Sequence, residues 1–193
     1  MVEFLPEALS EFLKANPQIR VDVEERVSAE IVRGLEEGVA DLGICRDVVP
    51  MGSLDALPYR ADHLALIVPR GHPLAAEANV GFEQTLAFDH LGLSSNASVN
   101  ALMQRIAAEK GRELNYRTYV STFDAAYRFI QAGLAVAILP GEALPRHAAD
   151  EYGIVAVPLC DAWAERRFVI CVRDRGALTL AASHLLDHLL RAV

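Results

Sequence analysis

Apolar side chains recur along this chain with two different periods, and the switches between them predict the order of its elements. Near the start, Phe4, Leu5, Ala8, Phe12 and Leu13 repeat at offsets of four and eight, the period of an amphipathic helix, with Pro6 in a first turn that tolerates it. After Asn16 and Pro17 the run IRVDVEERV changes to period two, which predicts a strand whose charged side chains face away from the core. Ser28 precedes AEIVRGLEEG, a short helix that Ser28 can cap and Gly38 can end by the left-handed route. VADLGIC then predicts a brief buried parallel strand, and HLALIVP, His63–Pro69, another that closes at the turn signal RGHPLA.

The second half repeats the alternation. HLGLS, NYRTYV and LAVAILP predict strands, separated by the helices VNALMQRIAAEKG and FDAAYRFIQAG, which Gly111 and Gly133 close. GIVAVPL and RRFVICV predict two more strands, and Leu178, Ala182, Leu185 and Leu189 mark one side of a closing helix. Strands and helices alternating at this spacing imply an α/β fold, a parallel sheet with helices on its faces. The two halves share an element order, which suggests two small lobes with a cleft between them.

Composition narrows the function. The chain has 193 residues, 52% of them hydrophobic, spread along the whole length as in an ordinary globular protein. Its formal net charge of -8 repels phosphate backbones and anionic membrane surfaces, so nucleic acid is not expected as a direct ligand. No apolar run approaches the roughly 18–20 residues of a membrane span. Glu3, Glu7 and Glu11 stand where a signal peptide carries basic residues, and a cytoplasmic location is expected. Cys45, Cys160 and Cys171 are far apart and each sits in or beside an apolar strand-like run, as buried thiols do, with neither a disulfide framework nor a zinc knuckle expected.

Candidate binding chemistry gathers where predicted strands end and helices begin. GLSSNASV sets Ser94, Ser95, Asn96 and Ser98 ahead of a helix starting near Val99, and unpaired amides there carry partial positive charge. Such a segment is either a cradle for a carboxylate or other oxygen-rich ligand, or a plain cap supplied by Ser98. Ser121 and Thr122 head the next helix and Ser28 an earlier one, and in open α/β sheets ligands bind outside the carboxyl ends of strands. Phe123 is either an aromatic wall of that crevice or a core anchor. His184 and His188 have the spacing of paired metal ligands, but with no third ligand placed they read as a solvated helix face. No nucleophile, phosphate-loop or metal motif appears, so no catalytic residue, metal or cofactor is expected.

Taken together and in order, FLPEALSEFLKANPQIRVDVEERVSAEIVRGLEEGVADLGI, LALIVPRGHPLA, LGLSSNASVNALM, FDAAYRFIQAGLAVAILP and FVICVRD resemble the effector-binding domain of LysR-type transcriptional regulators over nearly the whole chain. The resemblance implies two Rossmann-like lobes of the type 2 periplasmic binding protein architecture: lobe I from 1–69 and 161–193, lobe II from 70–160. It implies a small-molecule effector in the cleft, touched by Ser28, Ser94, Ser95, Asn96, Ser98, Val99, Ser121, Thr122 and Phe123, and the hydroxyls and helix starts among them favour an oxygen-rich, anionic one. It also implies a homodimer or higher homo-oligomer, with the helix of Phe4 and Phe12 facing that of Tyr127, Phe129 and Ile130. DNA would be reached only through a winged helix-turn-helix, which this sequence does not contain, and the family's first strand is also missing. A solute-binding protein of a transporter shares the fold and is the alternative; an enzyme would need a reactive cluster that the residues do not supply.

Overall fold

The computed structural model of the chain describes residues 5–94 and 97–191. They form two compact units, one running to Ala61 and resuming at Arg167, the other spanning Asp62–Arg166. Each unit has its own pair of hydrophobic cores.

In the first unit, α1 (Leu5–Ala15) and α7 (Leu180–Arg191) bury one face each. Ala8 and Phe12 meet Leu185, Leu186 and Leu189 there. His188 lies in this seam: it donates through Nε2 to the Ala8 carbonyl at 2.9 Å and its ring is 5.4 Å from that of Phe12. The solvated face expected for both histidines therefore holds only for His184. A second core lies under α2 (Ser28–Glu36) and strand β1 (Gly43–Arg46), where Val32, Leu35, Cys45, Leu54 and Cys171 pack. Gly43 permits this approach, since a Cβ there would fall 2.4 Å from the Ile31 side chain.

Two strand expectations fail in this unit. The alternating segment 19–27 forms no strand; Ile19 and Val21 reach the core, whereas Val23 and Val27 are 48% and 52% exposed. Period two becomes a strand only where a neighbour takes up the amides, and among the described residues none pairs with this segment. β1 is antiparallel, with Gly43 opposite Cys171 on β7 (Glu165–Val172). Its partner arrives from the far end of the chain and not through a helical crossover.

The second unit is a mixed assembly. β3 (His90–Leu93) and β4 (Tyr116–Val120) are parallel, joined by α4 (Ala97–Glu109). After α5 (Phe123–Gln131), a parallel bridge between His90 and Val136 links the pair to the approach of β5 (Ala137–Pro140). β5 and β6 (Ile154–Pro158) flank β2 (Asp55–Pro69), both antiparallel to it. The wholly parallel sheet expected from the alternation is thus confined to the β3–β4 side. β2 is also longer than the predicted 63–69 run, and α6 (Arg146–Tyr152), ended by Gly153 at φ +60°, had no counterpart in the sequence reading.

β2 and β7 each run from one unit into the other. Near the point where they leave the second unit, the Arg166 guanidinium donates through Nε and Nη2 to both carboxylate oxygens of Asp62, and both side chains are only 8% exposed. Losing one partner strands the other charge in a poorly solvated site, whereas losing both leaves only apolar packing. Asp62→Leu is expected to cost about 3–5 kcal/mol and the double change Asp62→Leu, Arg166→Met far less than the sum of the singles. Urea unfolding of the four proteins measures this; a single-variant loss under about 1 kcal/mol would contradict it.

Candidate functional site

Parallel pairing brings two of the predicted loops together. In the β3–β4 ladder Leu93 stands opposite Val120, so the chain leaves both strands side by side and in the same direction, at Ser94 and at Ser121. Ser94, Ser121 and Thr122 are all exposed. Ser95 and Asn96 lie outside the described residues, as does the side chain of Ser98. Val99 is 3% exposed and its side chain packs in a core.

The two helix starts differ electrostatically. Thr122 caps α5, its Oγ1 accepting from the Ala125 amide at 3.2 Å. The first turn of α5 also carries Asp124, whose carboxyl is held below its usual range by hydrogen bonds from the Tyr152 hydroxyl and the Arg128 guanidinium. A carboxylate at this end already uses the partial positive charge. The first turn of α4 has no acidic residue, which leaves its end the better seat for an anion. Phe123 is half-buried against the core and stacks on Tyr127 at 6.3 Å, so it acts mainly as an anchor.

A residue that the sequence reading passed over ties this corner together. Asn100, in the first turn of α4 and 8% exposed, donates through Nδ2 to the Leu93 carbonyl at 3.1 Å. Its Oδ1 accepts from the Tyr116 hydroxyl at 3.2 Å. The same side chain thereby fixes the end of β3, the start of α4 and β4. Gly92 is required beside it, because a Cβ there would sit 2.4 Å from the Tyr119 ring. Asn100 had one readable sign: it shares the inward stripe of α4 with Val99, Met103 and Ala107, a polar residue among apolar ones. At the other end of β3, burial holds the His90 imidazole below its usual range while Nε2 donates to the carbonyl of Thr85, the last residue of α3 (Phe82–Thr85), at 3.0 Å.

Ser28 lies in the other unit and is not the expected cap. Val27 occupies the N-cap position of α2 without a side-chain bond, and Ser28 Oγ instead accepts from the Arg46 amide at 3.3 Å, tying α2 to the end of β1. Among the described residues no three His, Cys, Asp or Glu side chains are grouped to hold a metal ion.

Comparison with known proteins places this geometry. The family model described as LysR substrate binding domain matches residues 1–193. The chain belongs to that family. The LysR substrate binding domain has the α/β fold of type 2 periplasmic binding proteins, and solved structures agree with it. The regulatory domain of CcmR from Synechocystis, solved in complex with 2-PG, is similar with a TM-score of 0.81 at 19% identity, over 98% of this chain and 91% of that one. The BenM effector binding domain with benzoate gives a TM-score of 0.77 at 19% identity, over 98% and 85%. The effector binding domain of QuiR with shikimate gives 0.73 at 19%, over 99% and 90%. In sequence, the uncharacterized HTH-type transcriptional regulator YbhD of Escherichia coli is 27% identical over 179 residues, 93% of this chain and 56% of that protein. A probable RuBisCO transcriptional regulator of Emiliania huxleyi is 24% identical over 157 residues, 78% of this chain and 49% of that protein. This LysR domain therefore spans about half the length of these curated relatives.

Asn100→Ala is expected to destabilise the domain by about 1–3 kcal/mol, since it leaves a buried carbonyl and a phenol without their partner. Tyr116→Phe removes one bond only and should cost about 0.5–1.5 kcal/mol in the same urea titrations.

Proposed function

We propose that this LysR domain is the effector-sensing part of a transcriptional regulator, and that a small oxygen-rich anion is held at the start of α4 by the 94–99 loop, with Ser121 and Thr122 beside it. The observation that carries the reading is the parallel register that sets Leu93 opposite Val120, putting two hydroxyl-bearing loops next to one another at the carboxyl ends of their strands. The absence of an acidic residue from the first turn of α4 supports an anionic ligand. Ser28, in the other unit, is included as a contact on the family resemblance alone, and the lobes are taken as 1–69 with 161–193 and 70–160. The curated relatives are HTH-type regulators, which supports a regulator over a transporter's solute-binding protein. Regulatory function follows if effector binding shifts the balance between two arrangements of the domain, which a DNA-binding head elsewhere in the whole protein would report. A cytoplasmic location belongs to the same reading, resting on the likeness to transcriptional regulators; no helix among the described residues is long and apolar enough to cross a membrane.

Benzoate, shikimate and 2-PG, named with the structural neighbours, are the first probes. A true effector at about 100 times its Kd should stabilise the domain by about 2.7 kcal/mol in thermal or urea unfolding. Ser94→Ala with Ser98→Ala should weaken that effector by about 1 kcal/mol or more, as loss of hydrogen bonds to a charged ligand implies. Unchanged affinity in the double variant would remove these loops from the site.

The same reading includes a homodimer, and the residues that would make it need correction. Phe4 lies outside the described residues, and Phe12, Tyr127 and Ile130 are 2%, 5% and 0% exposed and belong to the chain's own cores. Phe129, with Leu134 and Tyr119, remains as exposed apolar surface of the second unit and is the part of α5 available to a second copy. Phe129→Asp is expected to shift a dimer to monomer in sedimentation at about 100 μM, without loss of stability. A dimer indifferent to that change would rule this surface out.

A further inference from the structure

Three sulfur atoms from distant parts of the sequence meet in the core beneath α2. Cys45 is on β1, Cys171 on β7, and Met51 in the loop between β1 and β2. The two thiol sulfurs are 3.4 Å apart; Met51 Sδ is 3.4 Å from Cys171 Sγ and 3.8 Å from Cys45 Sγ. Cys45 and Cys171 are 1% and 0% exposed, while Met51 is half-buried, so the thioether is the corner of the triangle with access to solvent. Val32, Leu35 and Leu54 wall the site, with Ile31, Val49 and Val169 packed around them.

The register of the strands separates two uses of such a pair. Gly43 faces Cys171 and Cys45 faces Val169, so the cysteines are diagonal neighbours across the ladder. Diagonal Cα atoms lie about 7–8 Å apart, at or beyond the reach of a disulfide without backbone movement. A shared cation needs no such closure. With metal–sulfur bonds of about 2.3 Å, an ion at the centre of three sulfurs sets them about 4 Å apart, so the observed triangle needs to open only slightly. Two thiols and a thioether form a soft donor set that favours monovalent copper over oxygen-seeking divalent ions. Zinc would call for a fourth ligand, and the surrounding walls are apolar.

We propose that Cys45, Cys171 and Met51 form a binding site for one soft monovalent cation, Cu(I) or its surrogate Ag(I). On binding, the two thiol protons pass to solvent, and three sulfur lone pairs replace the ligands that the ion carried; no electron is transferred. The bound ion would clamp β1, β7 and the 47–54 loop at one point.

The test is anaerobic titration of the reduced chain with Cu(I) against a competing chromophoric Cu(I) chelator, with X-ray absorption to count sulfur ligands. One equivalent bound through three sulfurs is expected, unchanged in Cys160→Ser, since that thiol is exposed and belongs to the other unit. Cys45→Ala and Cys171→Ala should each weaken binding at least a hundredfold. Met51→Leu should weaken it at least tenfold and reduce the count to two sulfurs. Thermal unfolding of the metal-free variants checks their folding; if the cysteine variants do not fold, Met51→Leu decides by its sulfur count. Failure to take copper from the chelator would overturn the site, as would uptake lost only in Cys160→Ser, uptake indifferent to Met51, or tighter binding of zinc. A Cys45–Cys171 disulfide formed on mild oxidation, in a chain that binds no copper when reduced, would also overturn it and make the pair a redox couple.

Discussion

The pleat of β2 sorts five consecutive buried side chains between two cores. Leu64, Leu66 and Val68 enter one, and Ala65 and Ile67 the other. β5 and the residue before it do the same beside it, with Val136 and Ile138 on the first side and Ala137 and Leu139 on the second. Period-two alternation with both faces apolar admits no solvent side, so helices and loops must cover both. At about 1.5–3 kcal/mol for each large side chain buried, these two strands carry much of the second unit's stability, and a shift of one residue would exchange every side chain between cores of different shape. The loops at Ser94 and Ser121 inherit their placement from that register, through the bridge from His90 to Val136 and then the β3–β4 ladder.

What could be read from the sequence follows from how local each signal is. Helix ends are encoded within a turn, and Gly38, Gly111 and Gly133 all adopt the positive φ expected of helix-ending glycines. Strand direction is not local: LAVAILP looks the same whether it pairs parallel or antiparallel, and in the structure it is antiparallel to β2. The 19–27 segment shows the converse. Its alternation is clear, yet a strand also requires a partner, and none of its own residues specifies one. The first part of β2, DALPYRAD, escaped notice because its proline and charges break the apolar run while the backbone continues extended.

The candidate site divides in the same way. Hydroxyls at strand ends are visible as short polar stretches, and the strands that lead to Ser94 and Ser121 end side by side because they are parallel neighbours. The third, around Ser28, offered the same local pattern, but its hydroxyl is engaged by the Arg46 amide from β1. Asn100 shows in the sequence only as a polar residue within an apolar stripe, and the Cys45–Cys171–Met51 cluster could not be assembled from sequence at all. The two cysteines are 126 positions apart, and only the β1–β7 register makes them diagonal neighbours.

Burial also redistributes the aromatic residues of α5 in a way that bears on how the domain meets other chains. A helix with Tyr127, Phe129 and Ile130 has more apolar surface than one narrow stripe, which by itself fits either an interface or a wide buried face. The structure resolves this by position: Tyr127 and Ile130 point inward, with the Tyr127 hydroxyl donating to the Ala143 carbonyl, while Phe129 points outward. Phe129, Leu134 and the segment of β4 at Arg117 and Thr118 then line one shallow groove. That groove sets an aromatic side chain from the end of a helix beside the edge of β4, which among the described residues pairs only with β3.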